Sequence, residues 1–181
     1  MESKELEKLK YPVDRYNPPQ TITEENLKSY ISDIEKLPEN LKNLVSNFSD
    51  EKLNTKYRPD GWTVRQVIHH IGDSHMNAII RFKLALTEDV PIIKPYFEDK
   101  WAELGDYKNT PVNVSLSLIE SIHKRWIDIL KTMEKKDFEK SFFHPEHGKE
   151  FSLDEITGMY SWHGKHHYAH IDELRKRMNW Q

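Results

Sequence analysis

The chain of 181 residues is 36% hydrophobic and 31% charged, the balance of one domain with a buried core and well-solvated faces. A formal charge of −3 leaves no basic footprint for nucleic acid, and no apolar run approaches the roughly 20 residues that cross a bilayer. With no cysteine, the chain has no disulfide, thiolate ligand or cysteine nucleophile, so a bound transition metal must use nitrogen and oxygen, histidine above all.

The N-terminus, MESKELEKLKYP, is charged and lacks the apolar region of a signal peptide, so the expected location is the cytoplasm. Residues 1–20 read as an irregular arm, because the prolines of YPVDRYNPP exclude a helix interior. Thr21 and Glu24 then make a capping-box pattern. Leu27, Ile31, Ile34, Leu37, Leu41, Leu44, Val45 and Phe48 keep helical spacing and predict a first long helix over 22–48. Pro38 falls inside it and predicts a kink, or two helices nearly in line.

Thr63 and Gln66 form a second capping-box pair, opening a helix over 63–87 whose buried arc includes Val64, Val67, Ile68, Ile71, Ala78, Ile79 and Phe82. The connection from Asp89 to Thr110 carries Tyr96, Phe97 and Trp101. A loop this long either covers a site or is a surface connection pinned by its aromatics. Val112 to Met133 predicts a third amphipathic helix over 112–134. KSFFHPEHGKEFS predicts a β-hairpin over 140–151, turning at His147-Gly148. Ser152 and Glu155 suggest a third capping box for a last helix over 153–178, with the inward seam Leu153, Ile156, Tyr160, His163, His167, Ile171, Leu174, Met178. The expected architecture is all-α, a four-helix bundle with a small β-hairpin before the last helix, forming a single domain over 1–181.

Histidine occupies seam positions where a bundle normally holds leucine. SWHGKHHYAH contains two i, i+4 pairs, His163 with His167 and His166 with His170, and either could share an ion. The seam favours the first pair, although His170 lies close to it. Catalytic metals typically take three protein ligands, and the other dense source is HHIGDSH. There His70, Ser74, Asn77 and Arg81 share one flank of the helix, while His69 and Asp73 turn away. His75 lies nearer the middle of the apolar arc. His75 and His123 are candidates to orient a ligand or relay a proton. Asp73 is near in sequence but on the wrong flank for direct contact. Trp62, Trp126 and Trp162 are either pocket walls or core.

YPVDRY, GWTVRQVIHHIGDSHMNAIIRFKLALTE, HKRW and YSWHGKHHYAHI together resemble the DinB-like four-helix metalloproteins. Within them the likeness is to the YfiT-like branch of metal-dependent hydrolases, which is also linked to bacillithiol S-transferases. The resemblance implies one divalent metal per subunit, with zinc expected first and nickel as the alternative. It places the ligands on His70, before I-x-D on the second helix, and on His163 and His167, at HxxxH on the fourth. It further implies a homodimer and a small-molecule substrate. Three function classes follow: a hydrolase using activated water, a transferase joining a low-molecular-weight thiol to an electrophile, and a metal-binding dimer without turnover. No nucleic-acid or membrane partner is expected.

Overall fold

A computed structural model describes residues 3–180. In chain order the elements are α1 (Ser3–Lys10), α2 (Glu24–Val45), α3 (Asp50–Leu53), α4 (Val64–Thr87), α5 (Glu98–Trp101), α6 (Gly105–Asn109), α7 (Val112–Thr132), α8 (Lys135–Phe138), β1 (Ser141–His144), β2 (Lys149–Ser152) and α9 (Leu153–Arg177). Helices α2, α4, α7 and α9 form the bundle: α2 packs on α9 and α7, and α4 packs on the same two partners. No helix among the described residues is long and apolar enough to cross a membrane.

The bundle buries two apolar clusters. One gathers Ile34, Phe82, Trp126, Phe142, Leu153 and Tyr160; the other gathers Leu41, Val64, Ile68, Ile71, Ile119 and Ile171. The helical stripes read from the sequence supply both, with Phe142 added from β1, as expected where burial of one face dominates helix stability.

Three local expectations need correction. Residues Ser3–Lys10 are helical rather than irregular; the prolines that forbid helix begin only at Pro12 and do not reach back into KELEKLK. The first capping box is Thr23 with Asn26, not Thr21 with Glu24. Ser152 precedes α9 without capping it, because its hydroxyl is engaged by Asp154. The second box, Thr63 with Gln66, forms as expected.

Pro38 lies inside a continuous α2. Having no N–H, it cannot donate to the carbonyl of Ile34 four residues earlier, which leaves that carbonyl without its usual helical partner. The hairpin pairs Ser141 with Ser152 through His144 with Lys149 and turns through Gly148 at φ +62°. It is fastened to the long connection where Ile93 donates to Phe143 at 3.1 Å and Phe143 donates to Pro91 at 3.0 Å. Those two bonds hold the hairpin tip over the bundle.

Candidate metal centre

His70 on α4 and His163 and His167 on α9 each direct one ring nitrogen to a common point, all within 4.8 Å of one another. The Nε2 atoms of His70 and His163 are 3.2 Å apart. Two nitrogens bound tetrahedrally at about 2.0–2.1 Å from zinc would be roughly 3.3–3.4 Å apart, so the spacing of this pair fits an ion. Burial favours the neutral rings that coordination needs. It pushes His70 down to about 4, with His166 contributing after it, and pushes His163 and His167 well below the ordinary histidine value.

Three polar contacts connect this trio to the backbone of α2. His123 Nδ1 lies 2.7 Å from the Ile34 carbonyl, His75 Nδ1 lies 2.7 Å from His123 Nε2, and His163 Nδ1 lies 3.1 Å from His75 Nε2. A carbonyl only accepts, so His123 must carry its proton on Nδ1, leaving Nε2 bare. That bare nitrogen accepts from His75 Nδ1–H, and His75 Nε2 in turn accepts from His163 Nδ1–H. His163 is thereby left with a lone pair on Nε2, the atom facing His70. Each ring in the chain is held neutral, chiefly by burial.

His75 and His123, the candidates to orient a ligand, stand in line behind His163. Asp73 does not reach the trio: Tyr107 of α6 donates to it at 2.7 Å. His69 turns toward α7, with its Nδ1 2.7 Å from the Ser115 hydroxyl. Of the three, His163 has a partner on its second nitrogen. Nδ1 of His70 and Nδ1 of His167 are buried without one among the described residues.

The second i, i+4 pair is used differently. His170 Nε2 lies 3.1 Å from the Lys10 carbonyl, and its ring stacks on Tyr57 at 4.0 Å. His166 stacks on Trp162 at 4.5 Å and reaches the edge of the pocket. Trp62 packs against His70 at 4.7 Å. Trp126 belongs to the core, beside Phe82 and Tyr160.

Above the trio is a cavity of about 380 Å³. Helix α4 contributes Ser74 and Arg81, the long connection contributes Pro95, Tyr96 and Glu98, and the hairpin contributes His144, Glu146 and His147. The connection thus walls the site while Tyr96 and Trp101 pack together at 4.4 Å. Sequence reading missed the hairpin residues, since no periodicity links a turn to a bundle face. The Arg81 position was legible on the His70 flank, but its place in the pocket was not.

Comparison with known proteins agrees with this architecture. The chain belongs to the DinB superfamily, whose sequence pattern matches residues 33–171. A protein of Bacillus cereus named "Putative metal-dependent hydrolase" is 54% identical over 172 residues, spanning 95% of this chain and 98% of its own. A Bacillus thuringiensis protein of the same description matches equally well. Among solved structures, YfiT from Bacillus subtilis superposes with a TM-score of 0.93 at 44% identity, covering 96% of this chain and 99% of that one. YfiT is described as "a probable metal-dependent hydrolase with an unusual four-helix bundle topology".

Proposed function

We propose that this chain is a metal-dependent hydrolase in which His70, His163 and His167 hold one divalent ion, zinc first and nickel as the alternative. The observation that carries the reading is the convergence of three neutral imidazole nitrogens beneath a cavity. The relatives' names support the same class. A divalent ion at this point supplies Lewis acidity, lowering the pKa of coordinated water toward about 7.

The chain's own residues do the rest. His75 and His123 fix the His163 tautomer, keeping its Nε2 lone pair aimed at the ion. Trp62 shields one side of His70, and the connection and hairpin narrow access for bulk water. Three neutral ligands leave the ion's charge uncompensated, which strengthens polarisation of whatever occupies the open position.

Transfer of a low-molecular-weight thiol to an electrophile is the second reading. The uncompensated charge would favour the thiolate over the thiol, and with no cysteine in the chain that thiol must arrive as substrate. The deciding experiment assays zinc- and nickel-loaded protein against esters and amides, and in parallel against small thiols paired with electrophiles. Ester or amide cleavage that disappears in His163→Ala supports hydrolysis. Thiol consumption without cleavage moves the assignment to transfer, and metal binding with neither leaves a non-catalytic metal protein. The homodimer belongs to the same proposal, and light scattering at micromolar concentration tests it.

A further inference from the structure

Arg81 lies on α4 eleven residues beyond His70, three turns along the same face. Helical side chains lean toward the N-terminus, so its guanidinium reaches back over the cavity. It donates through Nη1 to the Tyr160 hydroxyl at 3.3 Å. The Tyr160 ring in turn lies 5.9 Å, centroid to centroid, from that of His163. Arg81 is half-buried and lines the same cavity as the three histidines.

Among the described residues, no carboxylate lies within ion-pairing distance of Arg81, and Nη1 makes its one side-chain bond. A partly buried guanidinium with no carboxylate beside it keeps its charge available to an anion entering the cavity. Its remaining edge presents parallel N–H donors, the geometry that recognises a planar carboxylate in two-point fashion.

We propose that Arg81 is the anion subsite of this cavity, binding a carboxylate on the substrate while the opposite end of the molecule reaches the metal. The inference rests on the three-histidine metal reading and adds the substrate class: a small carboxylic acid bearing its reactive group a few bonds from the acid. Glu98 and Glu146, both exposed, stand at the rim of the cavity. Their charge disfavours a dianion more than a monoanion, which selects carboxylate over phosphate.

The test pairs 3-mercaptopropionate with the neutral 3-mercapto-1-propanol on cobalt-loaded protein. The cobalt absorption reports the thiol end, and the Arg81 Nε–H resonance in ¹⁵N NMR reports the acid end. The acid should bind about tenfold or more tightly than the alcohol and shift the Arg81 resonance. Arg81→Met should bring the acid down to the alcohol's affinity with metal content unchanged, and Arg81→Lys should fall between. Equal affinities in the unaltered protein, or a preference that survives Arg81→Met, overturn the proposal. Inorganic phosphate moving the Arg81 resonance at lower concentration than acetate overturns the choice of carboxylate. If cobalt fails to load, the metal reading falls. Acetate titrated against the Arg81 resonance then decides the subsite alone: a saturable shift upholds it, and no shift overturns it.

Discussion

His123 donates its Nδ1–H to the main-chain carbonyl of Ile34 at 2.7 Å, and that carbonyl is open to it because Pro38 has no N–H to offer. A proline in α2 and His163 in α9 are thus connected through the imidazoles of His123 and His75. His75→Leu would leave the His163 Nδ1–H buried without an acceptor and release its tautomer. Metal affinity should fall about 10- to 100-fold, read by competition with a chromophoric chelator. His123→Leu should cost less, since His75 can still accept from His163. Unchanged affinity in His75→Leu would show that the chain of rings has no hold on the site.

Single alanine substitutions at His70, His163 and His167 should each remove most of the bound metal while helical circular dichroism is retained. Alanine at His69 should do far less, because that ring is turned to Ser115. His170→Ala should loosen the contact with Lys10 and Tyr57 and lower stability rather than metal content. Elemental analysis of purified variants decides it. Loss of metal from His170→Ala with retention in His167→Ala would mean that the other pair is the binding pair.

The four bundle helices were legible from the 3.6-residue period, and histidine stands out on an apolar seam. That seam favoured His163 and His167 without excluding His170, and the family resemblance set His70 beside them. Boundaries fell within about three residues of the observed ends. Residues Ser3–Lys10 were misread because the prolines that follow dominated the whole segment. The contributions of His144, His147 and Glu146 arise from the fastening of the hairpin to Pro91 and Ile93, a long-range contact that no local pattern encodes. The free carbonyl of Ile34 was implicit in Pro38, but its use depended on knowing that His123 faces it.

In metal-free protein, acid should destabilise the fold. Burial holds His70, His123 and His166 near 4 and His170 near 3, against about 6.5 in the unfolded chain. Between those values the unfolded state binds more protons, so stability rises with pH and is complete above about 6.5. It is lost as pH falls toward 4, each group contributing up to about 1.4 kcal/mol per pH unit. Urea midpoints at fixed ionic strength should be level from pH 8 to 7 and drop steeply from 6.5 to 5. A profile that stays level to pH 5 would show that these rings are solvated.

Gly164 lies between His163 and His167 where α9 meets α2. A Cβ built there would stand 2.7 Å from Leu37 Cδ2, closer than nonbonded carbons tolerate. Leu37 is itself buried, so it has little room to withdraw. Alanine at 164 gains up to about 1 kcal/mol in helix propensity, whereas overpacking costs about 1–3 kcal/mol. Gly164→Ala should therefore be neutral to moderately destabilising, and Gly164→Val clearly destabilising, in urea unfolding. Shortening the neighbour separates contact from propensity: Leu37→Ala costs stability alone by opening a cavity, yet Gly164→Ala should be better tolerated in that background. A favourable interaction of about 0.5 kcal/mol or more in the double-mutant cycle would identify this contact as what sets the α2–α9 spacing. Strict additivity would mean that the helices are held apart by other contacts, and the glycine would then have no part in placing its two flanking histidines.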